Sequence, residues 1–151
     1  MYMMFTLAFI CFLCYHTYTD IKEMLLYDSV TMMLGLTGFV RAFYLQQLSD
    51  ALQGAVLLFA VMLVLYFVSR GGMGEGDVKL APALGLWLGT EQGLWCLLLA
   101  FVSGGAIGVI LLMCGRGRKY ALPFGPFLCA AALAIYFWGE KIINFYWHLL
   151  L

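Results

Sequence analysis

The chain has 151 residues, 65% of them hydrophobic and 11% charged, and its formal charges cancel. Ordinary globular domains carry about 25% charged residues, so this composition excludes a water-soluble domain, and the absence of a net charge offers nothing to nucleic acid. An integral membrane protein remains, its size fitting one compact domain over residues 1–151.

Residues 1–19 carry no formal charge and are long enough to cross a bilayer, so no cleavable signal peptide is needed. Residues 29–48 form a weaker span interrupted by Arg41. Residues 51–69 read ALQGAVLLFAVMLVLYFVS, uncharged and rich in apolar helix formers. Residues 77–90 are short and contain Pro82, Gly85 and Gly89. A perpendicular span needs about 20 residues, so this fourth segment either begins in a protein-lined cavity or does not cross fully. Residues 92–114 are uncharged again, and 121–138 make the last strong segment. The expected fold is all-α, a polytopic membrane bundle of about six transmembrane segments. Aromatic residues reach 17%, many of them near the ends of these runs, where membrane interfaces favour them.

Basic residues orient the bundle. With the N-terminus outside, Lys22, Arg70, Lys79, Arg116, Arg118 and Lys119 face the cytoplasm, and only Arg41 and Lys141 face out, as the positive-inside rule favours. This places YTDIKE (18–23) and GGMGEGDVKL (71–80) on the same cytoplasmic side.

Those two stretches hold the candidate chemistry. Asp20 ends the first apolar run and Asp77 opens the fourth. An ionisable group at membrane depth is expensive and marks a functional hypothesis by default, although a single Asp is as readily a water-facing flank of a membrane helix. Two on one side, one of them among Gly71, Gly72, Gly74 and Gly76, favour a working pair. Paired carboxylates share a proton, one activating water while the other protonates a carbonyl, and they hydrolyse a peptide bond with no metal and no cofactor. Glycine reaches backbone conformations that other residues avoid, so the loop is expected to bring Asp77 up to an extended substrate backbone; a plain interhelical turn is the alternative. Helix ends divide the proton. Asp77 opens its segment, where the dipole favours an anion by about 0.3–1 kcal/mol, and Asp20 closes its own and holds the proton. A cationic His16, four residues earlier on the same face, would reverse that preference.

Gly74-Glu75-Gly76-Asp77 fits the G-x-G-D signature of intramembrane aspartyl proteases, and the longer GEGDVKL resembles the prepilin peptidase version. Asp20 followed by Lys22 in YTDIKEMLLYDSVT is similar to that family's first catalytic aspartate and its following basic residue. ALPFGPFLCAAALAIYFWGEKI (121–142) is similar to the family's last membrane helix. G-x-G-D alone recurs by chance; three motifs in order, on one membrane side and over nearly the whole chain, make the resemblance specific.

The resemblance implies an aspartyl endopeptidase of a bacterial or archaeal cytoplasmic membrane, its active site toward the cytoplasm, with Asp20 and Asp77 catalytic. The implied substrates are type IV or Tad/Flp-type prepilins and pseudopilins, cut between a short basic leader and an apolar helix. Family members that also methylate the new N-terminus carry a cytoplasmic insertion with two Cys-x-x-Cys pairs binding zinc. This sequence has no such insertion, so methyl transfer is not expected. Where the family usually shows Ile-Pro-Asn, this chain reads Leu26-Tyr27-Asp28, which bears on the loop's shape and not on the pair. Gly74, Gly76 and Lys79 are candidate substrate-binding residues beside Asp77. By analogy with presenilin-like proteases, Pro123, Gly125 and Pro126 keep the start of the sixth segment irregular and border the substrate groove; a simple helix start is the alternative.

Other features carry bland readings. Cys11 and Cys14 form a C-x-x-C inside an apolar helix with no second pair, so packing outweighs zinc or redox work. Cys96, Cys114 and Cys129 read as small core residues. His16 reads first as an interfacial histidine, Asp28 as a helix N-terminal residue, and Lys79, Glu75 and Lys22 as solvated charges or contacts for a leader. Two other function classes stay open: a G-x-G-D protease for another membrane substrate such as a preflagellin, and a non-catalytic membrane scaffold or small channel.

Overall fold

The computed structural model describes residues 2–69, 72–114 and 123–150, and these are helical with no strand among them. The helices are α1 (Tyr2–Glu23), α2 (Asp28–Tyr44), α3 (Leu48–Ser69), α4 (Glu75–Met113) and α5 (Gly125–Leu150). Arg70, Gly71, Arg116, Arg118 and Lys119 lie outside the described residues. Lipid offers no partner to backbone amides, so apolar runs of this length must satisfy their own N–H and C=O groups as helices. Among the described residues, α1 from Met3, α3, α4, and α5 as far as His148 are each long and apolar enough to cross a membrane. Their outer faces suit lipid: Met3, Val56 and Phe67 are 74%, 69% and 70% exposed.

The short fourth segment is explained inside α4. Its 39 residues as a straight rod would measure about 58 Å, nearly twice the hydrocarbon thickness of about 30 Å. Gly89 breaks the rod with φ 74° and ψ −166°, a combination essentially confined to glycine. Before the break the helix runs antiparallel to α3: Tyr66 donates to Glu75, and Gly85 packs on Gly54 and Ala55. After it the chain turns back, with Gln92 against Gly139 and Gly104 against Phe124, antiparallel to α5. The expected segments 77–90 and 92–114 are thus two arms of α4, and the expected six passes are five helices with one folded back. Asp50 of α3 secures the fold-back. Its Oδ1 accepts the Thr90 N–H at 3.2 Å and its carbonyl accepts the Thr90 hydroxyl at 3.3 Å, partners that the second arm's first turn otherwise lacks.

Helices in lipid associate through close van der Waals packing, which small residues permit. A Cβ on Gly54 would lie 2.5 Å from the Gly89 carbonyl carbon, and one on Gly85 would lie 2.5 Å from the Ala55 nitrogen, so α3 and α4 touch backbone to backbone. Trp87 docks α2: its indole N–H donates to the Leu34 carbonyl at 2.8 Å, and Gly38 leaves room for the ring. Arg41, expected to interrupt its span, donates to the Trp87 carbonyl at 3.0 Å and lies over the Trp87 and Tyr136 rings. Phe9, Leu13, Leu58, Leu84 and Ile135 complete the core.

Several boundaries differ from expectation. α1 continues past Asp20 to Glu23, and α2 stops at Tyr44. α5 runs well past residue 138, because Gly139 accommodates Gln92 and Trp95 meets Tyr146 edge-on, so the return arm of α4 carries it past Glu140 and Lys141. Cys96 and Cys129 are buried as expected, whereas Cys11, Cys14 and Cys114 face outward and pack no core.

Candidate active site

Asp20 lies on the buried stripe of α1, with Phe9, Leu13 and His16 one and more turns behind it at helical spacing. Asp77 is the third residue of α4, after Gly74 at the N-cap. The two carboxylates are only 6% and 5% exposed and line a single cleft of about 510 Å³. Gly74, Gly76, Leu26 and Tyr27 form its other walls, with the Lys79–Asp28 ion pair, 2.7 Å long, at its edge.

The start of α5 supports Asp20. The Gly125 N–H donates to Asp20 Oδ2 at 2.9 Å. Pro126 brings no N–H, and the next two amides, of Phe127 and Leu128, both go to the Phe124 carbonyl. Asp77 meanwhile lies in the first turn of its own helix, with Oδ2 beside Gly74 at the N-cap. Asp20, although in the last turn of α1, thus also has the N-terminus of α5 beside it, so helix ends alone do not divide the proton.

The glycines act through space and not through unusual backbone. Gly74 has φ −69° and ψ 139°, ordinary extended values, and among the described glycines only Gly89 has a positive φ. A Cβ on Gly74 would meet Asp77 Oδ2 at 3.2 Å, one on Gly76 would meet the Leu26 side chain at 2.9 Å, and one on Gly125 would stand 2.5 Å from Asp20 Oδ2. The signature clears room for the carboxylates and for the loop after α1. Of the other candidates, Lys79 reaches Asp28, and Pro123, Gly125 and Pro126 lie outside the cleft's lining.

Sequence reasoning missed three things. His16 is not interfacial but fully buried, and among the described residues no group bonds either ring nitrogen or Asp77 Oδ1. Its position four residues before Asp20 was the available signal. Tyr27, taken only as a departure from the family pattern, donates to Glu23 at 2.7 Å and ties down the cleft's rim. That hydrogen bond and the carboxylate's charge raise the phenol's pKa above its ordinary value. A larger cavity of about 620 Å³, lined by Arg41, Asp50, Glu91 and Glu140, sits at the opposite end of the bundle and holds neither aspartate. Among the described residues no group of three or more His, Cys, Asp or Glu could hold a metal ion.

Residues 7–109 match the model of the type IV leader peptidase family. The chain is 34% identical over 145 residues to a prepilin leader peptidase/N-methyltransferase of Xanthomonas campestris pv. campestris, covering 90% of this chain and 50% of that protein. It is 36% identical over 154 residues to one of Legionella pneumophila, covering 95% and 53%. A third, from Burkholderia pseudomallei, is 38% identical over 128 residues, covering 80% and 41%. The chain spans about half the length of the curated relatives it matches. No solved structure matches it.

Proposed function

This chain belongs to the type IV leader peptidase family, and from that premise we propose that it is a membrane-embedded aspartyl endopeptidase. It removes the short basic leader from type IV or Tad/Flp-type prepilins and pseudopilins, with Asp20 and Asp77 as the catalytic pair. The observation that carries this reading is the single cleft in which buried carboxylates from α1 and α4 face the same space. Like charges so placed resist ionising together, so one proton is shared between them. The ionised member takes a proton from water as it adds to the scissile carbonyl, and the protonated member supplies a proton to the carbonyl oxygen. Collapse of the tetrahedral intermediate breaks the C–N bond; the departing amine takes a proton from the pair, one hydroxyl of the intermediate returns a proton to the pair as the carbonyl re-forms, and one water is consumed per bond cut.

The protein is a multi-pass membrane protein. Lys22 and Lys79 lie at the aspartate end and Arg41 at the other, which supports a cytoplasmic active site in a bacterial or archaeal cytoplasmic membrane. The relatives are named as both peptidases and methyltransferases; for these 151 residues acting alone we assign leader removal without methyl transfer.

The test is reconstitution of the chain in lipid with three substrates: a prepilin, a preflagellin, and a prepilin whose basic leader is neutralised. Release of leader from the prepilin, and much less from the others, is expected in the product masses. Equal cleavage of preflagellin would move the substrate assignment, and no cleavage of any would favour a scaffold.

A further inference from the structure

A second hollow of about 360 Å³ lies beside the catalytic cleft, between α2 and the first arm of α4. The two share Asp28 and Lys79, so they are continuous through that ion pair. Beyond it the walls turn apolar. On α2 they descend from Thr31 and Met32 to Gly35, and on α4 from Pro82 and Ala83 to Leu86. Both helices leave the aspartate end in the same direction, so the groove runs about two turns, or about 10 Å, toward the interior of the membrane. Its floor is where Gly35 approaches Ala83, a Cβ on Gly35 lying 3.7 Å from the Ala83 Cβ.

We propose that this groove receives the apolar, membrane-inserted segment of the substrate that follows the scissile bond. The proposal rests on the peptidase reading above and specifies where that enzyme's substrate lies. Charge assigns the two sides. Among the described residues the catalytic cleft is lined by Asp20, Asp28, Glu75 and Asp77 against one cation, Lys79, which suits a basic leader, whereas past Lys79 no described ionisable group lines the groove. A chain with its scissile bond at the aspartates therefore finds acid on one side and an apolar trough on the other. The Lys79–Asp28 pair stands where the substrate crosses from one to the other. Its side chains are 52% and 60% exposed, and a solvated ion pair contributes little stability, so an entering chain parts it at small cost.

The experiment places a photoreactive p-benzoylphenylalanine at Met32, on the groove, or at Val64, which is 61% exposed on α3 and lines none of the cavities described. Both probes are carried in the Asp77→Asn chain in lipid, with a full-length prepilin as substrate. Adducts from position 32 should map to substrate residues just after the cleavage site, with none from position 64. Adducts to the leader, to lipid alone, or equally from both positions would overturn the assignment. As a second measurement, Gly35→Leu fills the trough without reaching the aspartates. It should raise KM at least about tenfold and change kcat by less than about twofold, the signature of lost binding shared by ground and transition states; an unchanged KM, or a loss confined to kcat, contradicts the groove. Leader release by the wild-type chain in the same lipid separates the two ideas. Release without a position-32 adduct removes the groove alone, and no release removes the peptidase reading with it.

Discussion

Replacing Gly125 by alanine reaches Asp20, one carboxylate of the proposed pair, without altering it. The new Cβ would stand 2.5 Å from Asp20 Oδ2 and 3.0 Å from its Cγ, closer than such atoms approach, so Asp20 must rotate or α5 must back away. Either movement breaks the 2.9 Å bond from the Gly125 amide. A hydrogen bond to a charged group contributes about 1.5–3 kcal/mol, and about 1.36 kcal/mol is tenfold in rate. The kcat for leader release should therefore fall about 10- to 150-fold. The assay is single-turnover cleavage of a prepilin in lipid, with helical circular dichroism and thermal unfolding measured on the same samples. Gly105→Ala is the control, because its Cβ meets nothing within 4 Å, and it should keep the wild-type rate. A folded Gly125→Ala chain cleaving within about twofold of wild type would refute the claim that α5 holds Asp20 in place.

Gly89→Ala should lower the melting temperature, because alanine at φ 74° costs about 1–3 kcal/mol; an unchanged transition would mean the fold-back does not need glycine. Asp50→Ala removes the acceptor for the Thr90 amide and should cost about 0.5–2 kcal/mol, like loss of an N-cap, measured in the same melts. EDTA should leave cleavage unchanged, since two carboxylates hydrolyse a peptide without a metal; inhibition reversed by zinc would overturn the aspartyl assignment. Given S-adenosylmethionine and a prepilin, the 151-residue chain should release leader and add no methyl group, and a mature N-terminus heavier by one methyl in the mass spectrum would contradict that.

Composition made the membrane class legible, and charge-free runs located the helices, because lipid forces apolar stretches to be helical. The fold-back at Gly89 was only half visible. Pro82, Gly85 and Gly89 marked the segment as short, but its reversal depends on Asp50, remote in sequence, capping Thr90. The aspartates could be read from their motifs; what holds them could not. That Gly125 bonds Asp20 is a contact between α1 and α5, and proline and glycine at a helix start signal only irregular backbone. Burial of His16 was only hinted at by its place four residues before Asp20, since its face is set by what packs across it.

The central claim is that Asp20 and Asp77 act as one catalytic pair. It is tested most directly by leader release from a prepilin by Asp20→Asn and Asp77→Asn chains, each shown to be folded and inserted in lipid. An amide nearly conserves the shape of the carboxyl and can neither give nor take the proton. Each substitution should therefore reduce cleavage by at least about 10²-fold. Cleavage at near wild-type rate by either folded variant would remove that residue from the chemistry and contradict the account.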